Sequence, residues 1–144
     1  MKILIDADGC PVVKITVDIA KKHNIPVAII CDTAHEFSGD YTQVITVGKG
    51  ADSADFKLVN MTYEKDIVIT QDYGLAAMCL AKKAYVLNQN GLIYTADNID
   101  ALLLSRHTAK KIRNAGGRLK GGPKRTKQQD KDFEAALMSI INLK

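Results

Sequence analysis

The sequence predicts an α/β fold: a three-layer α/β/α arrangement around a mostly parallel central sheet, completed by a C-terminal hairpin and a helical basic extension. Three observations predict it. Short continuous apolar runs rich in Ile and Val occur at Ile3-Leu4-Ile5, at Val27 to Cys31 and at Asp66 to Thr70, as expected of strands buried on both faces. Stretches with helical spacing lie between them, so strand and helix alternate and successive strands run parallel. The length of 144 residues matches one domain, 1–144, with a core that buries roughly two thirds of the unfolded surface.

The first strand breaks into Asp6-Ala7-Asp8-Gly9-Cys10-Pro11, a turn signal that leaves two carboxylates at the strand end. Pro11 suits the first position of a helix, which Val12, Ile15 and Ile19 continue to about His23-Asn24, before Pro26. Val27 to Cys31 makes the second strand. Residues 33–41 read as a polar loop, with Asp32 and Asp40 beside it solvated, and Gln43 to Val47 as a third strand. A helix is expected from about Ser53 to Glu64, with Phe56, Val59 and Tyr63 on its buried face. The fourth strand, Asp66 to Thr70, ends in Gln71-Asp72; a small-residue helix, Leu75 to Lys82, and a fifth strand, Ala84 to Leu87, follow. Asn90-Gly91 signals a hairpin to Leu92-Ile93-Tyr94. A helix from about Asp97-Asn98 enters the basic segment, which Gly116-Gly117 and Gly121-Gly122-Pro123 interrupt. Thr126 and Gln129 form a capping-box pattern opening a last helix through Phe133, Leu137 and Ile140.

Composition narrows the function classes. No apolar run approaches the ~20 residues of a membrane span, and the N-terminus lacks a signal-peptide pattern, so a cytoplasmic protein without a membrane partner is expected. Cys10, Cys31 and Cys79 include no C-x-x-C pair, which argues against a disulfide framework and a zinc site. The net charge of +4 is unevenly spread. Arg106, Lys110, Lys111, Arg113, Arg118, Lys120, Lys124, Arg125 and Lys127 occur in a span without one acidic residue, while eleven Lys and Arg face sixteen Asp and Glu elsewhere. An acidic body with a basic arm suggests a polyanionic partner, a nucleic acid, held by counterion release. The other reading of the arm is a solvated face serving solubility.

In a mostly parallel sheet the strand ends share one rim, where ligands of open α/β sheets bind. Asp6 and Asp8 follow the first strand, Asp72 follows the fourth, and Asp52 and Asp55 share a face of a helical first turn. Carboxylates gathered there repel by about 4 kcal/mol per pair at 4 Å and an effective dielectric near 20, unless protons or a cation intervene. Mg²⁺ or Mn²⁺ takes such oxygen ligands, and two ions about 4 Å apart serve phosphodiester hydrolysis. Asp6, Asp8, Asp52, Asp55 and Asp72 are therefore the candidate catalytic residues, with Asp6, Asp8, Asp55 and Asp72 as metal ligands. Structural roles compete: Asp52 with Asp55, or Asp72, caps a helix, and Asp8 holds a turn.

The segments Asp6 to Pro11, Gly50 to Asp55 and Ile67 to Ala76, with Asn98-Ile99, Arg106, Gly122-Pro123, Asp130 and Phe133, resemble those of the YaiI/YqxD family of uncharacterised bacterial proteins. That family is regarded as similar to PIN-like nucleases, which bind Mg²⁺ or Mn²⁺ with acidic residues at strand ends and hydrolyse RNA or DNA. The resemblance implies a PIN-like domain in which Asp6 or Asp8, Asp55 or Asp52, and Asp72 hold the ion. Two departures stand out: the mid-chain acid, often Glu in PIN domains, is Asp here, and the basic glycine-rich arm is not a general PIN feature.

Three functions compete. A metal-dependent nuclease acting on RNA or another single-stranded nucleic acid uses both the rim and the arm. A nucleic-acid-binding protein without catalysis uses only the arm. A phosphatase resembling haloacid dehalogenases would use Asp6 as nucleophile and Asp8 as acid or base, but Pro11 leaves little room for the flap those enzymes insert.

Overall fold

A computed structural model of the chain describes residues 1–31, 41–47, 53–114 and 124–143. Strand and helix alternate as β1 (Ile3–Asp6), α1 (Val13–Lys22), β2 (Val27–Cys31), β3 (Thr42–Thr46), α2 (Ser53–Met61), β4 (Ile67–Ile69), α3 (Tyr73–Ala81), β5 (Tyr85–Leu87), β6 (Ile93–Tyr94), α4 (Ala96–Asn114) and α5 (Lys127–Ile141). The six strands form one sheet in the order β3-β2-β1-β4-β5-β6. All pairings are parallel except β5 with β6. The chain winds outward from β1 through β2 to β3, then returns to the other side of β1 for β4. The gap between the carboxyl ends of β1 and β4 is therefore the point where the winding reverses, the usual ligand crevice of such sheets.

The central strands β1, β2 and β4 are apolar almost throughout because both of their faces are covered. On one face Ile3, Ile5, Val27, Ile29, Ile67 and Ile69 pack against Val12 and Ala20 of the α1 segment and Phe133, Leu137 and Ile140 of α5. On the other, Leu4, Ala28, Ile30, Val68 and Val86 meet Leu58 of α2, Leu75 and Cys79 of α3 and Ile99 of α4. Three layers result. Cys31 and Cys79 are core residues, and Cys10 is half-buried.

Several local expectations shift. Pro11 precedes the helix instead of opening it: α1 begins at Val13 after Val12, and Thr16 donates its hydroxyl to the Val12 carbonyl at 2.7 Å. α2 ends at Met61 and turns Leu58, 1% exposed, to the core. Phe56 and Tyr63, expected on its buried face, are 61% and 68% exposed. The reason is the period: positions 55, 58, 59 and 62 lie on one stripe of a 3.6-residue helix, which leaves 56 outside. Asp66 is not part of β4. Its carboxylate pairs with the Lys2 ammonium and accepts from the backbone N–H groups of Lys2 and Tyr63 at 3.1 and 2.8 Å.

The hairpin is built as Asn90-Gly91 suggested. Asn88 Oδ1 accepts from the N–H groups of Asn90 and Leu92, both at 2.9 Å, and Gly91 has φ +87°. The capping box at Thr126 is complete: Gln129 N–H donates to Thr126 Oγ1 at 3.3 Å, and Thr126 N–H to Gln129 Oε1 at 2.9 Å. The expected loop at 33–41 falls almost wholly outside the described residues, as do Asp32 and Asp40. No helix among the described residues is long and apolar enough to cross a membrane.

Candidate functional site

Asp6 is the last residue of β1, paired in register with Ile30 of β2. On its other side Thr70 directly follows β4, and its hydroxyl donates to Asp6 Oδ2 at 2.8 Å. The same Thr70 oxygen accepts the backbone N–H of Asp72 at 3.0 Å. One hydroxyl thus joins the carboxylate that ends β1 to the segment that follows β4. Tyr94 holds Thr70 from the opposite side: it is 2% exposed and its hydroxyl donates to the Thr70 carbonyl at 3.2 Å. Burial pushes the Tyr94 phenol up to about 12, with Tyr73 and Asp72 adding to it.

After Asp6 the chain turns. Cys10 N–H donates to the Ala7 carbonyl at 3.0 Å, enclosing Asp8 and Gly9 in a tight turn. Gly9 has φ +74°, the left-handed value that the third position of a type II turn requires. Gln71 Nε2 donates to the Gly9 carbonyl at 3.3 Å and ties this turn to the end of β4. β1 ends at Asp6, so Asp8 reaches the cleft through the turn and not by alternation along a strand.

Asp72 is the N-cap of α3. Its Oδ1 accepts from the N–H groups of Gly74 and Leu75 at 2.9 and 3.2 Å, where the helix dipole also favours a negative charge. The capping role weighed for Asp72 is therefore real, and the same residue lines the cleft. That cleft, of about 580 Å³, is bounded by Asp6, Asp8, Gly9, Gln71, Asp72 and Tyr73.

Asp55 belongs to the first turn of α2, on the stripe that also carries Leu58. Its influence appears in the protonation of Asp6, which rises from 3.8 to about 6. Burial is the main cause; the Thr70 hydrogen bond opposes it, and the charges of Asp55, Asp72 and Asp8 add to it in that order. Acidic residues from three segments therefore converge in their effect on Asp6 at one sheet rim. Asp52 lies outside the described residues. Among the described residues, no three His, Cys, Asp or Glu side chains stand close enough together to form a metal cage.

The basic residues divide. Arg118 and Lys120 lie outside the described residues, as do the side chains of Arg106, Lys110, Lys111 and Arg113, whose backbone belongs to α4. Lys127 opens α5 and Lys124 precedes it. Arg125 is engaged: Nε donates to Asp130 Oδ1 at 2.8 Å, Nη1 to Asn90 Oδ1 at 2.7 Å and Nη2 to the Gln89 carbonyl at 2.8 Å. It clamps the hairpin to the start of α5.

The site includes residues not singled out from the sequence. Thr70, Gln71 and Tyr73 flank Asp72 in the sequence, so the signal was their position at the end of the clearest strand. Gly9 was visible as a turn residue, and it lines the cleft.

Fold and site together define a three-layer α/β protein with an acidic cleft at the reversal point of a mostly parallel sheet. A family model described as "Uncharacterized BCR, YaiI/YqxD family" matches residues 4–143. The chain is 57% identical over 141 residues to a UPF0178 protein of Ruminiclostridium cellulolyticum, covering 98% of this chain and 92% of the relative. It is 49% identical to a UPF0178 protein of Exiguobacterium sibiricum, covering 100% and 99%, and 48% identical to one of Clostridium acetobutylicum, covering 98% and 97%. The chain belongs to the YaiI/YqxD family. No solved structure matches it.

Proposed function

We propose that this protein is a divalent-metal-dependent nuclease that hydrolyses phosphodiester bonds of RNA or another single-stranded nucleic acid. The observation that carries the proposal is the meeting of Asp6, Asp8 and Asp72 in one cleft at the point where the sheet winding reverses, with Asp55 acting on Asp6 from α2. The donor set fits Mg²⁺ or Mn²⁺: every acidic group is a carboxylate, without the thiolate or imidazole that would favour zinc. The raised proton affinity of Asp6 marks a site where added positive charge is favourable, and a cation supplies it.

In this reading Asp6, Asp8 and Asp72 would have to draw closer together to hold the ion, since no three described side chains form a metal cage as they stand, and Asp55 adds its charge from α2. When bound, the ion polarises the phosphodiester and activates water. Thr70 orients the Asp6 carboxylate through one hydrogen bond, and the α3 cap orients that of Asp72. Lys and Arg of the 106–127 segment supply phosphate contacts that position a strand without reading its sequence. Arg125 acts as the anchor of that segment.

The test is calorimetric titration of Mn²⁺ into the native protein, Asp8→Asn and Asp72→Asn, run beside cleavage of single-stranded RNA and DNA. Binding and cleavage that fail in both variants support the reading. Cleavage that persists unchanged in both rejects it.

A further inference from the structure

We propose that Tyr73, with Phe56 in the first turn of the neighbouring helix α2, is a stacking platform for an unpaired nucleobase next to the acidic cleft. This rests on the nuclease reading and adds the residues that would recognise the base. Tyr73 is the first residue of α3, adjacent to Asp72, and lines the cleft. It is half-buried. Its inner side is buttressed by Tyr94, with ring centroids 6.0 Å apart and planes at 69°. Tyr94 is itself fixed by burial and by its bond to the Thr70 carbonyl. The Tyr73 ring is therefore held in place from behind while it borders the cleft.

Phe56 supplies a second, independent observation. It sits in the first turn of α2, next to Asp55, and is 61% exposed although α2 has a buried stripe through Leu58. Because α2 and α3 both follow strands that end on this rim, their first turns stand on the same side of the sheet. Each of the two helices thus carries an aromatic residue next in sequence to one of the acids, Tyr73 to Asp72 and Phe56 to Asp55.

Carboxylates and a cation recognise only the phosphate of a substrate; a supported ring adds a π-face for a base. Bases in a duplex are already stacked on one another, so such a platform selects strands with an unpaired base at the bond to be cut. It tolerates any base, because each has a π-face.

The test uses single-stranded RNA carrying one 2-aminopurine, with Ca²⁺ as a cation chosen to slow turnover. Native protein and Tyr73→Phe are expected to quench the probe at one position of the strand. Tyr73→Leu is expected to lose that quenching and to bind about tenfold more weakly or worse, the scale of one base–aromatic stack. Phe56→Ser alters an exposed position, so it is expected to keep the native melting temperature and still weaken binding. If Tyr73→Leu does not fold, the quenching by Tyr73→Phe and the affinity of Phe56→Ser decide. Native-like quenching and affinity in Tyr73→Leu and Phe56→Ser, or duplex RNA bound as tightly as the single strand, overturn the platform. If native protein cleaves RNA and these variants match it, only the platform falls; if native protein binds Mn²⁺ but no oligonucleotide, the nuclease reading falls with it.

Discussion

Replacing Asp6 by Asn is expected to stabilise the protein while disabling its site. The Asp6 carboxyl titrates near 6 instead of 3.8, chiefly because it is buried, with Asp55, Asp72 and Asp8 adding to the shift against the Thr70 hydrogen bond. Between these two values native Asp6 retains a proton that the unfolded chain has released. Stability therefore falls as pH rises from 3.8 to about 6, and remains lowered above it. At 1.36 kcal/mol per unit the full shift corresponds to about 3 kcal/mol. Asp6 keeps part of its surface in water, so solvent screening reduces the expected cost at pH 7 to about 1–2 kcal/mol. Asn removes the charge and can still accept from Thr70. Its melting temperature at pH 7 should exceed the native one by about 2–8 °C, given about 2–4 °C per kcal/mol for a chain near this size. The difference should shrink as pH falls from 6 to 4, measured by thermal unfolding of both proteins in matched buffers. Under the metal proposal, Mn²⁺ narrows or reverses the order, since a ligand at a hundred times its Kd adds about 2.7 kcal/mol to the form that binds it. An Asp6→Asn variant no more stable than native at pH 7, with the same pH profile, would refute the burial argument.

Three further predictions concern the surroundings of the site. Gly91→Ala combines φ +87° with a Cβ that would stand 2.5 Å from the Asp132 carbonyl oxygen and 2.8 Å from its carbon; urea unfolding should show a loss of about 2–4 kcal/mol from left-handed strain and overpacking. Asp72→Asn should keep the α3 cap and unfold within about 0.5 kcal/mol of native, whereas Asp72→Ala should lose about 1 kcal/mol; loss of Mn²⁺ binding in both would separate the charge of Asp72 from its capping role. Arg125→Met removes the three bonds to Asp130, Asn90 and Gln89 and should cost about 1 kcal/mol, with hydrogen exchange accelerating in Asn88–Leu92 ahead of the sheet.

What the sequence made legible was local. β2 has the expected bounds, Val27–Cys31, because a continuous buried run between Pro26 and Asp32 has few other readings. The capping box lies within four residues and was readable as such. The sheet order was not: placing β4 beside β1 brings together residues 64 apart, such as Thr70 with Asp6, and no local pattern encodes that pairing. Phe56 illustrates a second limit. An aromatic residue was assigned to the core by its type, whereas the helical stripe through Leu58 decided the matter. Arg125 illustrates a third: a basic residue among basic residues read as a phosphate contact, but Asn90, 35 positions away, receives its guanidinium. The acids were identified at strand and helix ends from local signals alone; the influence of Asp55, Asp72 and Asp8 on Asp6 depended on the topology.

The two carboxylates at the reversal point differ in how their charge is offset. Asp72 is compensated before any ligand arrives, since two backbone N–H groups and a helix N-terminus face its Oδ1. Asp6 has one hydroxyl donor and three acidic influences, so it is the group whose ionisation the fold makes costly. A cation entering the cleft is expected to displace the proton from Asp6 before it perturbs Asp72. Binding measured at pH 5.5 should therefore release more protons than binding at pH 7.5, where Asp6 is already ionised. Calorimetry in buffers of different ionisation enthalpy reads that release directly. Equal proton release at both pH values would mean that the cation is held without Asp6.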